Sequence, residues 1–342
     1  MSTVEDSRTG EAQGVQEMQR GKPKYKGGYV LDPVVGLHES YVVVLDFNSL
    51  YPSIIDEFNL CFTTLETNPE LISEGQDTAQ TLPQPIPDSS LPRGVLPQVV
   101  SALVGRRAAV KAAIKSLDRR LTASTESGKQ GVRLQLAQLD IRQLAFKLIA
   151  NSLYGCLGFQ KSRYYSPAIA SMVTTIGRRE IHAAKHIAEL ERLDVVYGDT
   201  DSIMVDTKEP VPADGKPEAE AVKRVLSLGR ELCRKISQGY RVLKMDIDHV
   251  FRHLLLQTKK KYAAVEIQPG SAEDPSHARD VLLPASVFYR GLDLVRRDWA
   301  ILSRRVSEAV LCLVLAPEKW QPDPLFSGFE VSSRADKADA IL

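Results

Sequence analysis

Three aspartates, Asp46, Asp199 and Asp201, are the residues of this chain best placed to do chemistry. Asp46 follows Tyr41-Val-Val-Val-Leu45, a continuous β-branched run that predicts a buried strand. Asp199 and Asp201 lie in Leu193-Asp-Val-Val-Tyr-Gly-Asp-Thr-Asp-Ser-Ile-Met-Val-Asp206, which reads as strand, tight turn, strand. A carboxylate at the end of a buried strand is poorly solvated and needs a partner or a metal. Several carboxylates brought together repel one another, and their pKa values rise unless a divalent cation neutralises them. Magnesium suits such a place, because it takes one or two carboxylates with phosphate oxygens and water. Two such ions about 4 Å apart can activate a hydroxyl and stabilise a leaving pyrophosphate. A single Asp-x-Asp is also an ordinary turn that caps its own backbone, so the pair alone leaves that alternative open.

Other elements must position these residues. Val99 to Leu121 and Leu134 to Tyr154 carry apolar and basic residues at helical spacing, the second with Ile141, Leu144 and Leu148 as its expected core stripe. The polar link Thr122 to Gly131 predicts that the two helices fold back antiparallel. Lys147, Asn151 and Tyr154 share one face of the second helix, about a quarter turn from that stripe. Arg107 and Lys111 align on the first helix, a basic face that suits either phosphate or plain solvent. Further helices are expected over Ala168 to Arg192 and Ala219 to Ser237. Arg252 to Val265 is apolar around Lys259-Lys260-Lys261, a triplet that equally suits a nucleic-acid backbone, a nuclear import signal or a solvated edge. Pro69 to Pro97 reads as a long loop, Met1 to Gly21 as disordered and Gln268 to Arg279 as a polar insertion.

Composition bounds the class. The 342 residues are 43% hydrophobic and 25% charged, which excludes collagen-like and wholly disordered chains. No apolar run reaches the ~18 residues of a spanning helix. The formal charge of +1 neither demands nor excludes nucleic acid, so a phosphate-binding surface must come from local clustering. Cys61, Cys156, Cys233 and Cys312 form no Cys-x-x-Cys pair, which predicts buried free thiols, a reducing compartment and no zinc knuckle.

Three strings occur in a telling order: Asp46-Phe-Asn-Ser-Leu-Tyr-Pro-Ser-Ile-Ile55, Lys147-Leu-Ile-Ala-Asn-Ser-Leu-Tyr-Gly155 and Tyr197-Gly-Asp-Thr-Asp-Ser202. They closely resemble the three polymerase motifs of family B (alpha-like) DNA polymerases. Lys259-Lys-Lys-Tyr-Ala263 resembles the primer-contacting motif of that family. Glu57 to Thr64, Cys156 to Phe159, Gly28 to Gly36 and Gly291 to Trp299 resemble its alpha branch. The resemblance runs over roughly residues 24 to 315 and implies an α+β fold, an antiparallel palm sheet with an inserted two-helix fingers domain. The implied segments are a disordered start at 1–23, palm at 24–97 and 157–290, fingers at 98–156, the start of a thumb at 291–316 and a divergent tail at 317–342.

The resemblance also implies roles. Asp46 and Asp201 would hold magnesium, with the Phe47 carbonyl as a further ligand and Asp199 beside them. Ser49, Leu50, Arg107, Lys111, Lys147 and Asn151 would meet the dNTP, with Arg106 a less certain neighbour. Tyr51 would lie under the sugar and exclude a 2′-hydroxyl, and Tyr154 and Gly155 would shape the pocket for the nascent base pair. Lys259, Lys260, Lys261, Tyr262, Arg296 and Arg297 would contact the primer strand. The implied reaction joins a dNTP to a primer 3′-hydroxyl on a DNA primer–template or an RNA–DNA primer, in the nucleus and away from membranes. Primase and an accessory B subunit would be partners. The exonuclease-like domain, most of the thumb and the cysteine-rich accessory-docking region would lie outside this chain, so weak processivity and no zinc are expected. Two other readings stay open: a non-catalytic fragment that binds primer–template or assembles with partners, and a two-metal nuclease.

Overall fold

The computed structural model describes residues 26–65, 82–123, 126–212, 218–267 and 287–315. The expected disordered start, the polar insertion at 268–279, the tail at 317–342 and much of the proline-rich loop lie outside the described residues.

The architecture is α+β. Among the described residues seven antiparallel strands form one sheet: β1 (Gly36–His38), β2 (Ser40–Phe47), β3 (Asp194–Asp199), β4 (Ser202–Pro210), β5 (Met245–Thr258), β6 (Lys261–Ile267) and β7 (Val287–Arg290). Their spatial order is β3-β4-β2-β5-β6-β7, and β1 pairs with β5. The β-branched run of β2 becomes the central strand because both its faces are covered. Val43, Leu45 and Phe47 pack under helices α4 (Pro167–Leu190) and α5 (Glu218–Ser237), against residues such as Met172, Ile176 and Val225. Val42 and Val44 point the other way and meet Met204, Phe251, Leu254 and Ala264. Burial of each such side chain contributes ~1.5–3 kcal/mol. The alternation Val42, Val44, Asp46 therefore delivers Asp46 to the helix-free face, where β2 ends.

Helix α1 (Leu50–Glu57) turns the chain off β2, and Ser49 before it takes a left-handed backbone with φ 51°. Two long helices follow, α2 (Val95–Ala123) and α3 (Glu126–Gly158). Both exceed their expected bounds, and most of the polar link Thr122 to Gly131 is helical. Its Glu126, Lys129 and Gln130 are good helix formers, so helical backbone runs into the link. The pair is antiparallel: Arg107 donates to Gln143 Oε1 at 3.4 Å, two positions symmetric about residue 125. After β7 comes a short 3₁₀ turn at Asp293–Val295 and then α6 (Ile301–Leu315), whose Leu311 and Leu315 pack on Ala263 and Val265 of β6.

The stripe expected to face the core on α3 is exposed instead: Ile141 is 70%, Leu144 49% and Leu148 59% accessible. The covered side runs through Leu136, Leu139, Gln143, Phe146, Ala150, Leu153 and Leu157. This helix carries two apolar stripes with the same repeat, and periodicity cannot choose between them. The choice comes from docking, because Leu153, Tyr154 and Leu157 must pack onto the core under α1 and α4. All four cysteines are free, as expected, but only Cys61 and Cys233 are buried; Cys156 and Cys312 are partly exposed because they lie on helix faces only half covered. No described helix is long and apolar enough to cross a membrane.

Candidate active site

The end of β2 and the β3–β4 turn meet at one point. The Phe47 amide donates to the Asp201 carbonyl at 2.8 Å, and Asp46 lies opposite Ser202 in the register. The turn is tight, with the Asp201 amide on the Asp199 carbonyl at 2.6 Å and Thr200 at φ 60°. A strap from the start of the described chain holds it from outside. Thr200 donates its amide to the Tyr29 carbonyl, and Leu31 donates to Gly198, both at 2.9 Å. Gly28 makes this possible: a Cβ there would stand 2.7 Å from the Thr200 side chain and 3.0 Å from the Tyr51 hydroxyl.

These elements form one wall of a cleft of about 560 Å³. The opposite wall comes from the paired helices. Arg107 and Lys111 reach in from α2, and Lys147, Asn151 and Tyr154 from α3. Phe47, Ser49, Leu50, Tyr51 and Tyr262 complete the set of anticipated residues that line it. Lys147, Asn151 and Tyr154 sit between the buried and the exposed stripe of α3, which is why that face turns to the cleft. Tyr154 packs on Tyr51 with ring centroids 4.3 Å apart. Arg107 donates to the Ser49 hydroxyl at 3.2 Å, so the helix pair touches the strand end directly.

Charge is segregated across this space. Asp46 is pushed up to about 7 by burial, then by the negative charges of Asp201 and Asp248. Asp201 is raised as well, by burial first and then Asp199. On the opposite wall burial lowers Arg107. Lys111 is lowered by burial, then by the positive charges of Arg107 and Lys147. One wall is short of cations and the other of anions. Among the described residues no three His, Cys, Asp or Glu side chains are spaced to hold a metal ion by themselves. Asp46 and Asp201 form a two-carboxylate oxygen set, and such a set fits magnesium when phosphate oxygens and water complete the shell.

Several anticipated residues lie elsewhere. Asp199 turns away from the cleft wall: it takes Lys260 Nζ on both oxygens at 2.7 and 2.6 Å and the Thr200 hydroxyl at 3.0 Å. Lys259 pairs with Asp32 at 2.7 Å, and Lys261 with Asp293 at 3.6 Å. Arg296 lies 3.8 Å from Asp293, and Arg297 is exposed in the same loop before α6. A Cβ on Gly155 would meet nothing within 4 Å among the described residues, so no neighbour in the protein accounts for the collision expected there.

Other residues line the cleft without having been anticipated: Asn48, Asp248, His249 and Arg290. Asn48 donates to Asp246 Oδ2 at 2.6 Å. Asp248 reaches the cleft through a register shift, since Val44 faces His249 while Leu45 faces Ile247, and the extra residue is Asp248. His249 holds it, with Nε2 at 3.1 Å from Asp248 and Nδ1 at 2.6 Å from Glu266. Pairing with His249 lowers Asp248, and pairing with Asp248 raises His249. The Asp-Ile-Asp-His string 246–249 was the available signal, but no period-2 reading marks a bulge.

Comparison with known proteins agrees with the motifs. The family model described as DNA polymerase family B matches residues 5–339. The chain is 41% identical over 315 residues to the DNA polymerase alpha catalytic subunit of Saccharomyces cerevisiae, covering 92% of this chain and 19% of that protein. It is 38% identical over 317 residues to the DNA polymerase alpha catalytic subunit of Xenopus laevis, covering 93% and 20%. The Trypanosoma brucei brucei subunit is 39% identical over 305 residues, covering 87% and 20%. This chain thus spans about a fifth of the length of these curated relatives. With Asp46, Lys147, Asn151, Tyr154 and Asp201 of its three motifs gathered at one cleft and nearly its whole length matched by the family model, the chain belongs to DNA polymerase family B.

Proposed function

We propose that this cleft performs nucleotidyl transfer from a dNTP to a primer 3′-hydroxyl, releasing pyrophosphate. One observation carries the reading: mutually repelling carboxylates face mutually repelling cations across one space, with Asp46 at about 7 and Lys111 lowered. The ligand that relieves both walls is a triphosphate accompanied by a divalent cation. Asp46 and Asp201 would hold magnesium with the Phe47 carbonyl, and Asp199 acts beside them through its pairing with Lys260. When bound, magnesium activates the attacking hydroxyl and neutralises charge on the leaving pyrophosphate.

The residues of this chain do the rest. Arg107 exchanges its Ser49 contact for phosphate oxygens, while Lys111 and Lys147 supply point charge as the phosphoryl group moves. Ser49 and Leu50 present donors at the start of α1, and Asn151 lies one turn beyond Lys147. Tyr51, backed by Tyr154, presents a flat ring to the sugar and excludes a 2′-hydroxyl by shape. Gly155 leaves room for the nascent base pair. Tyr262, Arg296 and Arg297 serve the primer strand, whereas Lys259, Lys260 and Lys261 are each paired with a carboxylate of the chain. In this reading 24–97 and 157–290 are palm, 98–156 fingers and 291–316 the start of a thumb. Magnesium, RNA–DNA primers, nuclear replication, partnership with primase and with an accessory B subunit, and weak processivity of this chain alone belong to the same proposal.

The test is single-turnover extension of a labelled primer on a template by the parent chain and by Asp201→Ala. Extension by the parent with a loss of ~10³-fold or more in the variant is expected. Equal extension by both refutes the assignment. Duplex binding without incorporation supports the fragment reading, and release of nucleotides without dNTP supports a nuclease.

A further inference from the structure

We infer that Arg290 is the residue that grips a backbone phosphate of the primer strand in this cleft, an inference that rests on the polymerase reading above. The lysine triplet is poorly placed for that task. Each of its members already has a carboxylate: Asp32 for Lys259, Asp199 for Lys260 and Asp293 for Lys261. Strand alternation also separates them. Tyr262 and Ala264 of β6 face the cleft side, with Phe251 and Leu254. Lys261 starts the opposite face, where Ala263 and Val265 pack on α6.

Arg290 occupies the cleft side. It lies directly across from Tyr262 in the β6–β7 register, and Phe288, two residues earlier, lies across from Ala264. Its guanidinium carbon stands 5.4 Å from the centre of the Phe288 ring. That ring is fixed in turn by Phe251 at 5.6 Å, His249 at 5.0 Å and Tyr262 at 6.2 Å. Stacking orients the guanidinium without using its N–H groups. Among the described residues no hydrogen bond or ion pair engages those groups, although Asp248 feels their charge. Asp248 itself is taken by His249.

The backbone anchors this placement. Gly291 has φ +64°, and a Cβ there would sit 2.0 Å from the Lys260 carbonyl. Only glycine lets β7 end against the β5–β6 turn, so Arg290 is held at a fixed height above the sheet. A planar fork whose donors no described residue takes, beside the carboxylate wall, suits a phosphodiester bidentately. The triphosphate cations Arg107, Lys111 and Lys147 come from the other wall, so Arg290 is assigned to the strand and not to the dNTP.

The experiment uses the full chain, a fluorescein-labelled primer–template duplex and anisotropy across a salt series, with single-turnover incorporation alongside. Arg290→Gln should weaken duplex binding several-fold at fixed salt and reduce the slope of log K against log salt by about one. Arg290→Lys should keep that slope, and the dNTP KM should stay unchanged in both. The side chain is exposed, so thermal melts should match the parent. Unchanged affinity and slope in Arg290→Gln, with a parent that binds and extends, overturns this inference alone. A changed dNTP KM with unchanged duplex binding reassigns Arg290 to the triphosphate and also overturns it. A parent that fails to bind the duplex overturns the polymerase reading and this inference together.

Discussion

Replacing Asp46 by Asn should stabilise the metal-free protein while removing its activity. Burial, Asp201 and Asp248 raise Asp46 from 3.8 to about 7 in the folded chain. Below pH 3.8 the folded and unfolded chains both carry the proton, and Asp46 has no effect. Between 3.8 and about 7 the unfolded chain ionises while the folded chain keeps its proton, so stability falls as pH rises. At about 1.36 kcal/mol per pH unit, the ~3 units amount to ~4 kcal/mol lost above pH 7. Asparagine has the shape of the protonated carboxyl and escapes this loss. Asp201 shares the repulsion and is itself raised, so relief at one member of the pair should return ~2–4 kcal/mol. At ~2–4 °C per kcal/mol, Asp46→Asn should melt several degrees above the parent at about pH 8 in chelator. The two should converge at about pH 4. Magnesium should raise the parent melting temperature and leave the variant nearly unmoved, since in the proposed reading the ion needs a folded chain that has both carboxylates. Circular dichroism melts across this pH range, with chelator and with magnesium, read all three effects. A variant that melts below the parent at about pH 8 in chelator, or a gap that ignores pH, would falsify the reasoning.

Three other outcomes follow from the same geometry. Tyr51→Val should raise ribonucleotide use relative to deoxynucleotide by ~10²-fold or more in competitive incorporation; an unchanged ratio refutes the shape-exclusion role. Ile141→Lys on the exposed stripe of α3 should shift thermal stability by less than ~0.5 kcal/mol, whereas Leu157→Ala in the core should cost ~2–4 kcal/mol. Equal losses would mean that the stripes were assigned the wrong way round. Lys260→Gln removes the cation that Asp199 holds on both oxygens and leaves the carboxylate wall more negative, so the pH profile of incorporation should shift upward on the acid side. A profile identical to the parent in pH would show that this pair does not communicate with the site.

Some of this protein was legible from sequence because the signals are local. A β-branched run ending in Asp46, an Asp-Thr-Asp turn between apolar strands, and Lys147, Asn151 and Tyr154 on one helix face each span a few residues. Local sterics and periodicity fix such features, and the motif order supplied the family. Tertiary structure decided the rest. Docking of α3 on the core chose between two equivalent stripes and exposed Ile141 and Leu148. A register shift placed Asp248 at the cleft, and pairing of β6 with β7 put Arg290 beside Tyr262. Lys260 finds Asp199 across 61 residues of sequence, and Lys259 reaches the Val30 carbonyl across 229. Which charges are spent on each other and which stay free for a ligand depends on contacts between distant segments. Helix periodicity, strand alternation and turn chemistry act over a few residues, whereas those contacts exist only once the sheet has formed.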